Sequence, residues 1–376
     1  MMLRQSIAVL GMSVLAGACG VGEATDVTAA DELIANTESA TGQSLSSTEA
    51  EGARLFALET FDGNGRTCAT CHTANRGTIT PEQIRAASPN SPIFRRIDAD
   101  DPSAAVPTYN RLKRDATILV TINLPPNIVI IDQPKKRSIT VPRSVPSVLD
   151  MPALDTFIML DGREPSLQHQ ALDAAHSHAQ VRREPTSKQL DQIAAFEKAL
   201  FSSFATYKLA HDGTDPGLPA GKTASEKRGR TFFVGFDSLC GQCHQGGLLN
   251  SGGPMNAGGF PLDTAVSAFN KQGNVAYRWG IKDPATGAIT PLVDSLTGAE
   301  TSPDPGAILT TGMPEDFNAF KMVSLRGIRY SAPYFHDNSA KNLDEVMDHY
   351  VQVFSGLGVT VTAQDKADMI AFMKLL

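Results

Sequence analysis

The sequence predicts a mainly α-helical protein made of two similar domains, with long loops and one small β-hairpin. Three observations support this prediction: helical periodicity in several segments, a pentapeptide motif that occurs twice, and abundant loop-forming residues, with 31 Gly and 23 Pro in 376 residues. The hydrophobic fraction of 41% and the charged fraction of 19% are those of an ordinary globular protein. This length leaves room for two domains and a processed N-terminus.

The N-terminal 18 residues have the layout of an export signal peptide. Arg4 precedes a mostly apolar run over residues 7–15, and small residues follow at 16–18. Two interpretations of Cys19 remain open, because residues 16–18 fit an ordinary Ala-x-Ala cleavage site and also part of a bacterial lipobox. Both interpretations predict a periplasmic or other extracytoplasmic protein, which is lipid-anchored to a membrane if Cys19 is acylated.

The remaining chain divides into segments of different composition. Residues 19–45 are small, polar and acidic, which predicts a flexible leader. An N-terminal domain is expected over 46–211 and a C-terminal domain over 222–376, joined by the Pro/Gly-rich linker 212–221. An acid, a Gly and an aromatic residue precede the motif in both domains, and in the second they lie within 225–233. This pattern indicates a weak internal duplication.

Helices and strands are predicted from the periodicity of apolar residues. A helix is expected to begin near Ser46, and further helices are expected over 187–209 and 363–376. Two apolar runs rich in β-branched residues, 117–122 and 128–131, predict a hairpin joined by the Pro-Pro-Asn segment between them. The net charge is −7 and no long basic run occurs, which argues against a nucleic acid partner.

The repeated motif carries the chemistry of the chain, as Cys68-Ala-Thr-Cys71-His72 and Cys240-Gly-Gln-Cys243-His244. Two thiols at this spacing reach the two vinyl groups of one haem, and the following His lies beneath the iron as its proximal ligand. A zinc ribbon usually places its cysteine pairs within about 20 residues of each other. A thioredoxin-type thiol pair explains neither the second copy nor the His. The sequence therefore predicts two covalently bound haem c groups in two cytochrome c-like haem domains.

The distribution of the eight histidines bears on the function of the first haem. None lies between His72 and His169, so the chain immediately after the first motif supplies no distal His to this haem. An iron without a strong sixth ligand can bind hydrogen peroxide. The alternative is that His176 or His178 folds back onto this iron.

Three C-terminal segments then carry a family resemblance: residues 320–327 read FKMVSLRG, 332–337 read APYFHD and 343–346 read LDEV. Together with both haem motifs and LDGR at 160–163, they resemble the bacterial di-haem cytochrome c peroxidases and their relative MauG. The resemblance covers most of residues 48–376, although 73–143 matches poorly. It implies one high-spin haem that reacts with peroxide and a second, six-coordinate haem that stores an electron.

The resemblance also implies ligands for the second haem. The distal ligand is Met in the classical peroxidases and Tyr in MauG, and the corresponding residue here is Tyr350, with Met347 and His349 as rivals. Without the resemblance, Tyr350 would be read as a core residue of an amphipathic helix. A Tyr ligand favours Fe(III) and higher oxidation states, whereas a thioether favours Fe(II). Arg326, in the first signature segment, is expected to contact haem.

The distal side of the first haem is implied to come from residues 160–180. Arg163 and Gln170 fall on family positions, whereas Gln180 stands where the family has an acid–base Glu. An amide cannot transfer a proton as a carboxyl group does. His176 and His178 are therefore the candidate replacements, since imidazoles titrate near neutral pH. For each of them, a solvent-facing position remains the alternative.

Two further positions depart from the family pattern. Leu160 replaces a Trp that lies between the two haems, and the single tryptophan, Trp279, is expected to be a packing or surface residue. The family also holds Ca²⁺ through backbone oxygens near Ser331 and Pro333 and an Asn side chain, whose position is Ser144 here. The resemblance therefore implies a calcium ion at this position, with a Ser hydroxyl where the family has the Asn side chain.

The leading hypothesis is a peroxide-using di-haem enzyme of the MauG-like branch, which oxidises a substrate such as an aromatic side chain of a partner protein. A first rival is a cytochrome c peroxidase that receives electrons from a small cytochrome or cupredoxin. A second rival is a non-catalytic electron-transfer cytochrome with two six-coordinate irons. A fourth hypothesis is a zinc-dependent structure.

Overall fold

The computed structural model describes residues 24–74, 76–235, 237–250 and 260–376, so the predicted export signal and Cys19 lie outside the described residues. The described chain is mainly α-helical, as predicted. Its α-helices are α1 (Ala24–Thr41), α2 (Ser47–Leu58), α3 (Pro81–Ala86), α4 (Asn110–Asp115), α5 (Met151–Leu154), α6 (Leu167–Ala174), α7 (Ser187–Lys198), α8 (Phe204–Asp212), α9 (Ala224–Thr231), α10 (Val266–Phe269), α11 (Ile308–Thr311), α12 (Leu343–Gly356) and α13 (Ala363–Met373). No helix in this described part of the chain is long and apolar enough to cross a membrane.

The strands of the described chain are short and form small antiparallel sheets. They are β1 (Thr117–Asn123), β2 (Ile128–Ile130), β3 (Ser138–Ser144), β4 (Pro261–Asp263), β5 (Trp279–Lys282), β6 (Ile289–Pro291) and β7 (Ala319–Lys321). The strand orders are β1–β3, β2–β5–β6 and β4–β7.

The predicted hairpin is wrong in its pairing, although both predicted strands exist. β1 pairs with β3, and β2 pairs instead with β5 from the C-terminal half. Proline fixes φ near −65°, so Pro125 and Pro126 cannot supply the tight turn that a hairpin between β1 and β2 would need. All three residues of β2 are buried, and a two-stranded hairpin could not cover both faces of such a strand.

Residues 24–41 form α1, so the prediction of a flexible leader over 19–45 is wrong for this segment. Ala30 and Leu33 are buried in the same core as Phe56, and α1 packs against α2. A narrow apolar stripe is sufficient to hold a helix against a neighbour even when its other faces are polar.

The N-terminal core is organised by a close crossing of α2 and α7. Ser46 caps α2 through a capping box, at the predicted start. A Cβ atom on Gly52 would lie 2.0 Å from the carbonyl oxygen of Gln192, so this crossing requires glycine. Phe56, one turn after Gly52, packs edge-on against Phe196 with 5.4 Å between ring centroids. The first Cys-x-x-Cys-His motif follows this contact in the chain.

The crossing of α9 and α13 repeats this arrangement in the C-terminal half. A Cβ atom on Gly229 would lie 1.9 Å from the carbonyl oxygen of Asp368. Phe233, again one turn after the glycine, packs against Phe372 at 5.1 Å between centroids. The second motif follows. The duplication predicted from the sequence therefore appears in the structure as two similar helix crossings, each followed by one motif.

The helix predicted over 187–209 is two helices, α7 and α8. The chain leaves the helical path after α7, and Ser203 caps the start of α8 with its side-chain oxygen. The helix predicted over 363–376 is α13, capped by Thr362. Helical periodicity located the apolar face in both cases, but it did not reveal the interruption before Ser203.

A third core is built from both halves of the chain. It includes Ile118 and Val141 of the β1–β3 pair together with Trp279 and Ile308. Trp279 is completely buried, and its Nε1 donates a hydrogen bond to the carbonyl oxygen of Ser302 at 2.9 Å. The single tryptophan thus lies in packing, one of the two positions expected for it. The boundaries 46–211 and 222–376 stay a prediction, since this core draws residues from both.

Candidate haem-binding site

Both Cys-x-x-Cys-His motifs line one cavity of about 720 Å³. This volume lies within the usual range for cofactor pockets, about 300–1,000 Å³. The lining includes candidate residues from both halves of the chain: Arg163, Gln170, His178, Arg326, Met347 and Tyr350. The fold therefore brings together side chains that are far apart in the sequence.

The two motif histidines are held in the same way. Nδ1 of His72 lies 2.9 Å from the carbonyl oxygen of Gly77, and Nδ1 of His244 lies 2.7 Å from that of Leu249. A hydrogen bond from Nδ1–H to a carbonyl leaves Nε2 without a proton and orients the ring as a metal ligand. Burial lowers the pKa of both imidazoles, which favours this neutral form. Each ring thus has the orientation and the neutral form that are needed to bind iron through Nε2.

The motif cysteines are free thiols next to these histidines. Burial raises the pKa of Cys68 to about 12 and that of Cys71 to about 11, and it raises the pKa of Cys240 to about 12. A redox-active thiol pair has the opposite shift. Among the described residues, no three or more His, Cys, Asp or Glu side chains are grouped so that they could hold a metal ion. The raised pKa values of the thiols disfavour a redox-active pair.

The structure distinguishes between the three candidate distal ligands of the second haem. His349 does not line the cavity, and its Nε2 lies 2.7 Å from the carbonyl oxygen of Thr264. Met347 and Tyr350 do line the cavity, one turn apart on α12. Burial raises the pKa of the Tyr350 hydroxyl, and the thiols of the second motif add to this shift, which places the phenol beside the second motif. Tyr350 and Met347 remain as candidates.

The structure also distinguishes between the candidate acid–base residues of the first haem. His176 is exposed and lies 2.9 Å from a Glu184 oxygen, while Gln180 is exposed and accepts a hydrogen bond from Asn64 at 3.1 Å. Neither lines the cavity. His178 does line it, and burial lowers its pKa to about 4. Of the two histidines that the sequence could not distinguish, only His178 faces the pocket.

A buried ion network supports the wall of the cavity on the side of Arg163. Arg143 forms a bidentate pair with Asp304 at 2.7 and 2.9 Å and also bonds Asp161. Arg163 donates to the other oxygen of Asp161 at 2.9 Å. Although burial opposes ionisation of Asp161, the two arginines hold its pKa below the usual value. The Asp-Gly-Arg segment seen in the sequence therefore orients Arg163 through Asp161.

Arg326 and the expected calcium position also lie at the cavity. Arg326 donates from Nε to the carbonyl oxygen of Gly247 at 2.9 Å and lines the cavity. Ser144, Ser331 and Pro333 line the same cavity, and the Ser331 hydroxyl donates to the carbonyl oxygen of Ile328 at 3.0 Å. Calcium at this position stays a prediction.

Sequence reasoning missed several residues of the cavity wall. The rings of Phe320 and His336 stack with 3.7 Å between centroids, and the backbone N–H of Lys321 donates to the carbonyl oxygen of Leu160 at 2.7 Å. This aromatic pair thus lies near the position where the family has Trp. Glu197, on α7, is a buried acid at the cavity wall beside Cys68. An acid on the apolar side of an amphipathic helix was the available signal for Glu197.

The residues present fit a haem at each motif. Each His ring is oriented by a backbone carbonyl, each thiol pair is free, and both sets face a cavity of suitable volume. Gly77 has a φ of +67°, and a Cβ atom there would lie 2.6 Å from the Ser147 hydroxyl. The loop that holds His72 therefore depends on glycine.

Comparison with known proteins gives relatives that carry haem-enzyme names. No protein-family model matches the chain. The cytochrome-c peroxidase IdrP1 of Pseudomonas sp. (strain SCT) is 29% identical over 198 residues, which are 49% of this chain and 48% of that protein. The cytochrome c551 peroxidase of Nitrosomonas europaea is 26% identical over 184 residues, 49% of this chain and 42% of that protein. The chain spans about half the length of the curated relatives that it matches.

A solved structure extends the similarity to most of the fold. A MauG-like protein associated with microbial copper homeostasis has a TM-score of 0.50 to this chain and 21% sequence identity, with 88% of each chain covered. This similarity shows a shared fold, and the curated relatives imply haem cofactors. About half of the chain is thus similar in sequence to bacterial cytochrome c peroxidases, and most of it is similar in fold to a MauG-like protein.

Proposed function

We propose that this protein is a di-haem oxidoreductase that uses hydrogen peroxide at the haem on His72 and stores an electron at the haem on His244. The observation that carries this proposal is the difference between the two sides of the cavity. α12 presents Tyr350 and Met347 beside the second motif, whereas the first half of the chain contributes His178, Gln170 and Arg163. The side of the second motif offers a sixth ligand for the haem iron. The side of the first motif offers groups that transfer protons or stabilise charge.

Covalent attachment is part of the proposal. The thiols of Cys68 and Cys71 would each add across one vinyl group of the first haem, and those of Cys240 and Cys243 would do so at the second. Each addition forms one S–C bond and transfers the thiol hydrogen to the vinyl group, so no oxidant is needed. Burial keeps these thiols protonated before the reaction.

Haem iron would supply the cleavage of peroxide at the first site and electron storage at the second. His178 would accept the proton of the bound peroxide on its imidazole and return it to the departing oxygen. Burial lowers its pKa to about 4, so the imidazole is neutral at pH 7 and has a ring nitrogen free to accept this proton. Arg163 lies near enough to contribute to this pKa shift, so its guanidinium would stabilise negative charge in the same space.

Tyr350 is the proposed distal ligand of the second haem, which favours MauG-like oxidation of a substrate. A phenolate ligand favours higher oxidation states, so this haem would hold an oxidising equivalent well. The substrate would be oxidised at the protein surface, for example an aromatic side chain of a partner protein. The predicted export signal supports an extracytoplasmic location, with a lipid anchor if Cys19 is acylated.

A second candidate function rests on Met347. This residue is buried, lines the same cavity and carries the thioether ligand of the classical peroxidases. The curated relatives are named cytochrome c peroxidases, which supports a peroxidase that receives electrons from a small cytochrome or cupredoxin. A thioether ligand raises the reduction potential of haem and would suit such a donor.

Electron paramagnetic resonance of the oxidised protein, before and after hydrogen peroxide, tests the proposal. We expect one high-spin and one low-spin ferric signal, both altered by peroxide. Tyr350→Phe should shift the low-spin signal and Met347→Leu should not, and the opposite result would favour the cytochrome c peroxidase. Two low-spin signals and no reaction with peroxide would indicate a non-catalytic electron-transfer protein instead.

The proposed role of His178 is tested with its neighbour as the control. His178→Ala should slow the reaction with peroxide by about 10²–10⁴-fold in stopped-flow absorption, the usual contribution of a positioned acid–base group. His176→Ala should leave the rate unchanged, because His176 is exposed and paired with Glu184. Equal rates in wild type and His178→Ala would remove His178 from the mechanism.

A further inference from the structure

The segment that leads into the first Cys-x-x-Cys-His motif also holds the turn that carries His178. This turn, Ala175–Ala179, is a single π-helical turn, and Gln180 ends it with a left-handed φ of +50°. The last carbonyl groups of a helix have no N–H partner within the helix. Here the carbonyl oxygens of His178 and Ala179 accept hydrogen bonds from Asn64, which lies 114 residues before His178 in the chain.

Asn64 donates both of these hydrogen bonds in one fixed orientation. Its backbone N–H donates to the carbonyl oxygen of Ala179 at 2.7 Å, and its Nδ2 donates to that of His178 at 2.9 Å. Its Oδ1 accepts a hydrogen bond from the backbone N–H of Arg66 at 3.2 Å, which keeps Nδ2 directed toward the turn. A single residue thus satisfies two carbonyl groups at the end of the turn.

Residues next to this asparagine strengthen the contact. A Cβ atom on Gly63 would lie 2.2 Å from the carbonyl oxygen of Ala179, so the two segments can approach this closely only with glycine. Nη1 of Arg66 donates to the carbonyl oxygen of His178 at 3.4 Å. The same guanidinium forms a buried ion pair with Asp98 at 2.6 Å, which restricts its position. The contact is therefore close and held from several directions.

This contact connects the position of His178 with that of the first haem. Arg66 lies two residues before Cys68, which would hold that haem covalently. His178 lines the cavity, whereas Asn64 does not. Because the chain between Asn64 and Cys68 is short, the contact sets where the imidazole stands relative to the haem-binding motif.

We propose that Asn64 is a positioning residue for the reaction with peroxide, which keeps the His178 imidazole at the cavity by holding the end of its turn. This inference rests on the proposed role of His178. Misplacement of a reacting group by about 1 Å can slow a reaction about 100-fold. Loss of the contact should therefore be measurable in the rate, although Asn64 itself touches no reacting atom.

Asn64→Asp tests this proposal in the holoprotein. The change keeps the shape of the side chain and the acceptor for Arg66, but it replaces Nδ2 with an oxygen that repels the His178 carbonyl. We expect the variant to react with hydrogen peroxide about 10–100-fold more slowly than wild type in stopped-flow absorption. In a His178→Ala background, the same change should slow the reaction less than about twofold, because its effect passes through His178.

Hydrogen–deuterium exchange measured by mass spectrometry gives a readout that does not depend on activity. In Asn64→Asp, the peptide over 175–183 should exchange faster than in wild type, while α7 should exchange at the wild-type rate. Asn64→Ala removes the same side-chain donor without adding a charge, and it should change rate and exchange in the same direction. Asn90→Asp, at an exposed asparagine, is the matched control and should behave as wild type in both measurements.

The outcomes separate this inference from the proposed function. A wild-type rate in Asn64→Asp, together with a slow His178→Ala variant, would overturn the inference and leave the proposed function standing. Equal slowing by Asn64→Asp in both backgrounds, or faster exchange of α7 as well, would assign Asn64 a general structural role and would also overturn it. A wild-type rate in His178→Ala would remove the role of His178 and this inference with it.

Discussion

Glu197 provides a stability prediction whose size follows from its surroundings. This acid lies on α7, is 5% exposed, and has an Oε2 atom with no hydrogen-bond partner. Burial raises its pKa from an ordinary value of 4.5 to about 8. Glu197→Gln keeps the size and polarity of the side chain but removes the ionisable group. The variant therefore measures how much the protonation of the buried Glu197 carboxyl group changes the free energy of unfolding.

The sign of the effect follows from proton linkage. Between pH 4.5 and about 8, the folded protein holds a proton that the unfolded chain releases, so the free energy of unfolding of wild type falls by about 1.4 kcal/mol per pH unit. At pH 7 this loss amounts to roughly 3 kcal/mol, and above pH 8 it levels off near roughly 5 kcal/mol. Glu197→Gln has no such ionisable group and does not lose this stability. Its free energy of unfolding should therefore exceed that of wild type at pH 7, and the difference should vanish near pH 4.5.

Urea unfolding of both holoproteins, followed by circular dichroism from pH 4.5 to 8.5, measures this margin. Glu315→Gln is the control, because Glu315 is exposed and its variant should track wild type at every pH. A stability difference between Glu197→Gln and wild type that does not change with pH would refute the reasoning. So would a variant that is less stable than wild type at pH 7.

Three further predictions concern the buried ion network, the helix crossing and haem attachment. Arg143→Met should lower the free energy of unfolding by roughly 3–5 kcal/mol, because it leaves the buried Asp304 without its cationic partner and Asp161 with Arg163 alone. Loss of the exposed Arg85–Glu82 pair in Arg85→Met should cost at most about 1 kcal/mol in the same urea assay. Gly229→Ala should destabilise by roughly 1–3 kcal/mol through overpacking, while Gly356→Ala, which meets open space, should leave Tm unchanged or raise it. The double variant Cys68→Ser/Cys71→Ser should lose one of two covalent haems, measured by the pyridine haemochrome assay on denatured protein, and full retention would contradict attachment at the first motif.

The sequence predicted the parts of the site whose chemistry is local. The spacing within the two pentapeptides predicts haem-binding thiols and a proximal His, and the structure adds the same Nδ1 contact to a carbonyl five residues later in each copy. The helix start at Ser46 was readable because a capping box is a local hydrogen-bond pattern. The pairing of β2 with β5 could not be predicted, because the sequence of a strand does not specify which distant strand it pairs with.

The candidate distal residues of the two haems also show what a sequence pattern cannot distinguish. His176 and His178 are two positions apart in a polar segment, and no sequence pattern distinguishes them. The turn over Ala175–Ala179 directs His178 into the cavity and leaves His176 in solvent beside Glu184. Likewise His349 and Tyr350 are adjacent on α12, where neighbouring residues point about 100° apart. Only the packing of α12 decides that His349 bonds Thr264 while Tyr350 faces the second motif.

By itself, then, the sequence predicted the two motifs as haem-attachment sites, the mainly helical class and the duplication, because each prediction is read from short segments of the chain. The tertiary structure alone decided that both motifs share one cavity and that His178 rather than His176 lines it. The physical reason is that burial and contact between distant segments arise only when the segments pack. These same contacts set the pKa values of His178 and Glu197 on which the proposed chemistry and the stability prediction depend.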